Sequence, residues 1–216
     1  MVQEEDVMLK AYRYRIYPTK QQDAQMRSHL WLSKQLWNEM LAHTKMMYKE
    51  YGRFATKRSL REMVKRQGLY SQVAQELVDR LLDAIDRYFH LKALGIVIGF
   101  PRFKSFHRMK SLQYPQSGFK LEGRNLSVTP FGPIKVRLHR AVEGRIKTLS
   151  LKLEASGRWF AIFVTEQPLK PFVPNNGPPA GLDLGLRSFA VLSDGTRIAN
   201  PRHLKKHECK LKRLQR

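Results

Sequence analysis

One acidic residue stands in an otherwise apolar segment near the C-terminal end of the sequence. The segment is Gly181-Leu-Asp-Leu-Gly185, and its composition is typical of a β-strand. A carboxylate within a buried apolar strand is costly unless it meets a metal ion or a hydrogen-bonding partner. Asp183 is therefore the first candidate for catalysis and for metal binding.

Three interpretations of this Asp-x-Gly segment remain open from its residues alone. In nucleases with a ribonuclease-H-like sheet, such an aspartate on the first strand holds Mg²⁺. In sugar and acetate kinases, the equivalent loop faces the phosphates of ATP, but those chains carry the motif near their start and are less basic. The third interpretation is an ordinary strand end with a hydrogen-bonded aspartate. The late position and basic composition favour the nuclease.

A second segment alternates aromatic and basic residues. Gly99-Phe-Pro-Arg-Phe-Lys-Ser-Phe106 contains Arg102 and Lys104, and Arg108 and Lys110 follow it. Aromatic rings stack on bases while cations neutralise phosphates, so the pattern predicts contact with nucleic acid. Alternatively, the phenylalanines anchor an ordinary loop to the core.

Two further groups of polar residues give weaker signals. One predicted helix presents polar residues, including glutamines, on its exposed face. Glutamine can read base edges in the major groove, but any surface helix carries polar residues of this kind. That face carries Gln72, Gln75, Glu76, Asp79 and Arg80. The group of His203, His207 and Cys209 is a poor metal-ligand set, and a solvated basic helix is the favoured interpretation.

The charge of the chain indicates its class of partner. The 216 residues include 40 Lys and Arg against 18 Asp and Glu, a net charge of +22. Such a surplus favours a polyanion as partner, above all nucleic acid, because phosphate neutralisation releases counterions.

The sequence shows no sign of membrane insertion or secretion. No apolar run is long enough to span a membrane, and the acidic N-terminus is unlike a signal peptide. Cys209 is the only cysteine, which excludes intrachain disulfides and a cysteine zinc ribbon and fits a reducing cytoplasm.

The elements that must position these residues predict an α+β fold. Residues 9–17 alternate as a strand, and Thr19 with Gln22 has capping-box spacing for the helix that follows. Residues 19–94 predict a small antiparallel helical unit. From Gly95 onward the pattern of apolar residues changes from that of helices to that of strands. The predicted strands include 134–138, 149–153 and 159–165. The orphan strand 9–17 is expected to join them in a meander or small barrel, which the helices interrupt.

The remaining segments complete the predicted domain plan. Five prolines between 168 and 179 predict a semi-rigid linker. Residues 180–198 predict strands joined by a tight turn at Asp194-Gly195, and the basic tail predicts the start of a helix. The resulting domains are 1–18 with 95–168, 19–94, the linker 169–179, and 180–216.

Four segments together resemble the TnpB family, proteins of small insertion sequences that are related to type V CRISPR effectors. They are Tyr14-Arg-Ile-Tyr-Pro18, Gly99-Phe-Pro-Arg-Phe-Lys104, Gly181-Leu-Asp-Leu-Gly-Leu-Arg-Ser-Phe-Ala190, and Ser193-Asp-Gly followed by Asn200-Pro and the Lys-rich tail. Their order and spacing agree over essentially the whole chain, and the third segment is the most specific.

The resemblance implies a fold and a set of partners. The fold is a β-barrel wedge domain interrupted by a helical recognition domain, followed by the first strands of a RuvC-like, ribonuclease-H-like nuclease domain. The partners are a guide RNA and target DNA, with no membrane, and the protein itself reads a short motif flanking the target. By position, the flanking DNA is read by Phe54, Ser71, Gln72 and Gln75. Arg102 and Lys104 fall near the guide–target duplex.

The family's catalytic site departs from this sequence at its C-terminal end. It needs an Asp, a later Glu and a final Asp to hold two Mg²⁺ ions, whereas only Asp183, Asp194 and Glu208 follow residue 180. We therefore expect a truncated form that does not hold Mg²⁺ stably, binds no zinc and does not cleave alone. A nuclease-inactive repressor and an inert relic remain the alternatives.

Overall fold

The structure is a computed structural model that describes residues 7–169, 177 and 179–215. The chain divides into two compact units, residues 1–169 and residues 170–216. Most of the predicted linker at 169–179 lies outside the described residues. The mixture of helix and sheet expected of an α+β protein is confirmed.

The first unit begins with a strand, continues with three helices and ends with six further strands. A single 3₁₀ turn, Phe106–Arg108, precedes the second strand. The elements are β1 (Val7–Tyr17), α1 (Lys20–Tyr51), α2 (Lys57–Val64), α3 (Ser71–Ala93), β2 (Ser111–Tyr114), β3 (Phe119–Glu122), β4 (Asn125–Val128), β5 (Gly132–Arg137), β6 (Arg145–Leu153) and β7 (Trp159–Pro168).

The N-terminal strand pairs with strands from the far end of the unit, as the sequence predicts. The seven strands form one antiparallel sheet in the order β2-β6-β7-β1-β5-β4-β3. Within it, Tyr12 lies opposite Phe163, and Ile16 lies opposite both Trp159 and Val136. Alternate side chains of β1 are buried in the core. The three helices therefore lie, in sequence, between the first strand of the sheet and all its other strands.

The sheet curls so that its two outer strands approach each other. The ring of Tyr114 on β2 lies 6.5 Å from the ring of Phe119 on β3. The Tyr114 hydroxyl donates a hydrogen bond to the carbonyl of Thr129 at 2.9 Å. These contacts give a nearly closed, barrel-like sheet around one apolar core.

The beginning of α1 is attached to this sheet by polar side chains. The predicted capping box is confirmed, because Thr19 accepts from the Gln22 backbone and the Gln22 side chain accepts from the Thr19 backbone. The Gln22 amide also donates to the carbonyls of Phe131 and Pro133, both at 2.9 Å. The first turn of α1 therefore starts against the loop that precedes β5.

The second half of α1 packs with the other helices in a separate apolar cluster. Tyr48, near the C-terminal end of α1, lies outside this cluster and is 54 % exposed. Residues 95–110, which the sequence groups with the strands, contain no strand, and Met109 joins the helical cluster. The division into domains at the predicted boundaries stays a prediction.

The second unit contains a small antiparallel sheet and a helix. β8 (Leu182–Leu184), β9 (Ser188–Leu192) and β10 (Arg197–Ala199) pair in the order β10-β9-β8, and α4 spans His203–Leu214. The predicted turn is present, with Asp194 Oδ1 accepting from the Thr196 N–H at 2.8 Å. In the part of the chain that the structure describes, no helix is both long and apolar enough to cross a membrane.

Candidate nucleic-acid interface

The basic loop at 99–106 is attached to α1 by two consecutive side chains. The indole N–H of Trp37 donates to the carbonyl of Arg102 at 3.3 Å. The side chain of Asn38 accepts from the Lys104 N–H at 2.8 Å and donates to the Lys104 carbonyl at 3.0 Å. These three bonds fix the loop backbone, so that the positions of Arg102 and Lys104 do not depend on a bound partner.

Lys104 is half-buried, with the cation Arg80 close enough to affect its charge. Its Nζ lies 3.3 Å from the ring centroid of Trp37, a close cation–π contact. Burial, with a smaller contribution from Arg80, lowers the pKa of Lys104 to about 8. Burial also lowers the pKa of Arg80, and the charge of Glu76 only partly offsets it. Among the described residues no carboxylate forms an ion pair with Lys104 or Arg80, so a phosphate oxygen would relieve this excess charge.

The other basic residues of this segment lead from the helices to the sheet. Arg102 is exposed on the loop, and Arg108 is exposed on the 3₁₀ turn. Lys110 is half-buried, and its carbonyl accepts a hydrogen bond from the backbone N–H of Leu153, the last residue of β6. The four sequence-predicted cations therefore lie on one segment of chain that leads from the helical cluster to the sheet.

The phenylalanines of the same segment divide between the two interpretations that the sequence leaves open. Phe100 is half-buried and packs against the helical cluster as an anchor. Phe103 is 51 % exposed, with Lys45 Nζ at 4.7 Å from its ring centroid. Phe100 thus anchors the loop, and Phe103 remains accessible for stacking on a base.

The structure separates Phe54 from the other residues predicted to read flanking DNA. Ser71 and Gln75 lie in the first turns of α3, lining a cavity of about 380 Å³ whose other lining residues include Arg61, Lys65 and Arg66. Gln72, also in the first turn, is half-buried. Phe54 instead contacts Phe89 at 5.3 Å between centroids. Phe89 lies 18 residues after Ser71, about 27 Å along a helix axis.

The polar face predicted to be exposed on α3 is partly engaged in the protein. Gln75 is exposed, but Gln72, Glu76 and Arg80 are half-buried. Asp79 forms ion pairs with Lys57 at 2.7 Å and with Arg61 at 3.5 Å. The prediction of a free face was wrong for these positions, because α2 packs across this side of α3. Burial raises the pKa of Glu76, and the nearby charge of Arg80 only partly offsets it.

Asp183 lies on β8 opposite Val191, and this short strand is exposed rather than buried. Asp183 is exposed, and the flanking Leu182 and Leu184 are 61 % and 65 % exposed. The described residues of this unit place no layer over β8, so the cost of burying a carboxylate does not apply. Nowhere in the described ranges do three or more His, Cys, Asp or Glu residues gather as metal ligands. The described residues therefore do not fit a pair of Mg²⁺ ions.

Sequence reasoning missed the residues that fix the basic loop. Neither Trp37 nor Asn38 was among the candidates that the sequence offered. Their contacts join residues 65 and 66 positions apart in the sequence, a distance over which helical periodicity gives no information.

Comparisons with known proteins agree with the family expected from the sequence motifs. Residues 8–53 match a helix-turn-helix domain model, HTH_OrfB_IS605. Two curated proteins named "Putative RNA-guided DNA endonuclease" match 96 % of the chain. One is InsQ of Escherichia coli (strain K12), 29 % identical over 220 residues, and the other is from Streptomyces pristinaespiralis, 28 % identical over 221 residues. The resemblance to TnpB-type proteins is thereby confirmed.

The matched proteins are longer than this chain. It spans 53 % and 54 % of the lengths of the two curated relatives. A cryo-EM structure of a Cas12f1–sgRNA–target DNA complex aligns with 97 % of this chain and 69 % of its own, at 10 % identity and a TM-score of 0.45.

Proposed function

We propose that this chain, a TnpB-like protein by its sequence similarity, binds a guide RNA and target DNA as part of an RNA-guided DNA-targeting system. In this proposal the barrel-like sheet is the wedge domain and α1–α3 are the recognition domain. Residues 180–216 supply the first strands of a RuvC-like domain. The curated relatives carry names of RNA-guided DNA endonucleases, which supports the proposal.

The observation that carries the proposal is the fixed and unneutralised basic loop. Asn38 holds the backbone of Lys104, and Trp37 holds that of Arg102. Lys104 and Arg80 are half-buried cations. The charge of Glu76 acts on Arg80, but it only partly offsets the effect of burial on the pKa of Arg80. Burial and the like charge of Arg80 both disfavour the protonated form of Lys104 in the free protein. A phosphate backbone supplies the missing negative charge.

DNA cleavage is not part of the proposed activity of these 216 residues. In-line displacement by two Mg²⁺ ions needs several carboxylates at one place. Asp183 is exposed and, within the described ranges, does not gather with other acidic residues. We propose that these 216 residues take part in RNA-guided DNA binding without cleaving, with Asp183 as a metal ligand only when further carboxylates are supplied from outside them.

The proposal is tested by the salt dependence of RNA binding by variants. Each lost phosphate contact lowers the slope of log K against log salt by about one. Arg102→Ala and Lys104→Ala are therefore expected to weaken binding and to lower that slope. The control is Lys120→Ala, which removes the same charge from β3, outside the basic loop, where Lys120 is paired with Glu122. Equal effects of all three substitutions would show that the loop is not the interface.

A further inference from the structure

A cavity of about 350 Å³ opens where the far end of α1 meets the C-terminal half of α3. Phe100 at the start of the basic loop lines one side of it, whereas Arg102 and Lys104 are not among its lining residues. It is lined by Lys45, Tyr48, Phe54, Tyr88, Phe89, Lys92 and Phe100. We call it the aromatic cavity. Five of its seven lining residues are aromatic, and the other two are lysines.

The rings of the aromatic cavity form an ordered stack with exposed members. Tyr48 and Phe54 are stacked at 4.6 Å with an interplanar angle of 13°, and Phe54 and Phe100 are stacked at 6.1 Å and 20°. Tyr88 closes the side by edge contacts with Phe89 at 5.1 Å and Phe100 at 5.2 Å. Tyr48 is 54 % exposed and Phe89 is 42 % exposed. A packed core would bury these rings, whereas here flat aromatic surface is left in water.

The charges around the rings are all positive. Lys45 Nζ lies 5.7 Å from the ring centroid of Phe100, and Lys92 Nζ lies 5.7 Å from that of Tyr88. No acidic residue is among those that line the cavity. Two ammonium groups beside the rings disfavour a cationic guest and favour a flat aromatic group that carries negative charge.

We propose that the aromatic cavity binds one unpaired nucleobase, stacked on Tyr48 and the ring cluster, with an adjacent phosphate on Lys45 and Lys92. Stacking on aromatic side chains combined with cations on the backbone is how proteins hold single-stranded nucleic acid. The cavity therefore takes a base from a single-stranded stretch rather than a duplex edge. This inference rests on the proposed function, and it adds a site to which none of the loop cations contributes.

The test uses the full chain and single-stranded DNA oligonucleotides that carry one 2-aminopurine. Tyr48→Ala is expected to weaken binding by about 10-fold, within the range measured for loss of one base-stacking ring. The matched control is Tyr51→Ala, because Tyr51 is 62 % exposed on the same helix but does not line the cavity. Lys45→Ala is compared in the same way with Lys49→Ala, an exposed lysine one turn further along α1.

The base itself is tested by replacing the 2-aminopurine nucleotide with an abasic one. The wild type is expected to quench 2-aminopurine fluorescence and to lose affinity for the abasic strand. Tyr48→Ala is expected to show neither effect. Removing the ring and removing the base eliminate the same stacking interaction, so the second change costs nothing more once the first is made. Equal binding of both strands by the wild type, or equal loss in Tyr48→Ala and Tyr51→Ala, would overturn the inference.

Two outcomes separate this inference from the proposed function. A wild type that binds oligonucleotides, with Tyr48→Ala unchanged, contradicts the base site alone. A wild type that binds no nucleic acid contradicts both. Displacement of the probe by an acidic, phenylalanine-rich peptide but not by unlabelled oligonucleotide would show that the cavity accepts a protein segment instead.

Discussion

The side chain of Asn38 binds both polar groups of the Lys104 backbone, accepting from its N–H at 2.8 Å and donating to its carbonyl at 3.0 Å. This two-way contact joins the middle of α1 to a loop 66 residues away. It places the Lys104 ammonium over the Trp37 ring. The backbone position of this candidate nucleic-acid-binding cation is thus held by an uncharged residue on another element.

Replacing Asn38 with alanine is expected to weaken RNA binding without changing the net charge. It also leaves two backbone groups of the loop without their partners, which costs about 1–3 kcal/mol in the free energy of unfolding. Binding by fluorescence anisotropy and chemical denaturation measure the two effects. Gln35→Ala, on the preceding turn of α1, is the control. Undiminished affinity in Asn38→Ala would show that the loop needs no fixed position.

The lowered pKa of Lys104 predicts a pH dependence of DNA affinity. The pKa is about 8 in the free protein, and a bound phosphate favours the protonated amine and raises it. The contribution of Lys104 is therefore fully present below about pH 8 and declines as the pH rises toward the ordinary lysine value of about 10.4. Titration of affinity against pH in wild type and Lys104→Met measures this. The prediction fails if the two proteins show parallel profiles above pH 8.

A second titratable contact joins α1 to the sheet and predicts a pH dependence of stability. Trp159 donates from its indole to Asp23 Oδ1 at 2.6 Å, and Arg27 pairs with the same carboxylate at 2.9 Å. Burial raises the pKa of Asp23, but these two hydrogen bonds outweigh it and leave the pKa below its ordinary value. A carboxylate with a lowered pKa stabilises the fold above its unfolded pKa of about 3.9, and this contribution is lost as the pH falls through the folded pKa.

Asp23→Ala is accordingly expected to lower the free energy of unfolding by about 1–3 kcal/mol at neutral pH, since it leaves a buried indole N–H without an acceptor. The difference from wild type should shrink below about pH 4. Ala24, the exposed neighbour, provides the control as Ala24→Ser. Denaturation midpoints at several pH values measure it, and a difference that grows in acid would be inconsistent with this account.

Local signals in the sequence predicted the parts of the fold that depend on neighbouring residues. The capping box of Thr19 and Gln22 and the alternation of Tyr12, Tyr14 and Ile16 both have a fixed spacing, and both were confirmed. The short strands β2, β3 and β4 were not predicted individually. Each is four residues long, too short for a period of two to stand out.

The candidate site depended on information that local patterns do not carry. Arg102 and Lys104 were recognised from their type and order, but the side chains that hold them lie on α1. Asp183 was expected to be buried because its neighbours are leucines, yet those leucines are exposed. An apolar strand is buried only when another layer covers it, and a strand's own sequence does not specify that layer.

The arrangement around Asp183 predicts that these 216 residues do not cleave DNA. Incubation with guide RNA, target duplex and Mg²⁺ should leave the target intact, because a single carboxylate does not hold two metal ions. Asp183→Ala should also leave guide-dependent DNA binding within about 2-fold of wild type, since it removes no positive charge. Cleavage that Asp183→Ala abolishes would contradict this.

The central claim is that this chain binds RNA through its cationic surface, and the salt dependence of its affinity tests that claim most directly. The ligand is RNA transcribed from the end of the element that encodes the protein, compared with a scrambled RNA of equal length. We expect tighter binding of the element's RNA, and an affinity that falls by about 10³-fold or more between about 50 and 200 mM salt, as release of several counterions requires. A flat salt response, or no binding at low salt, would contradict the account.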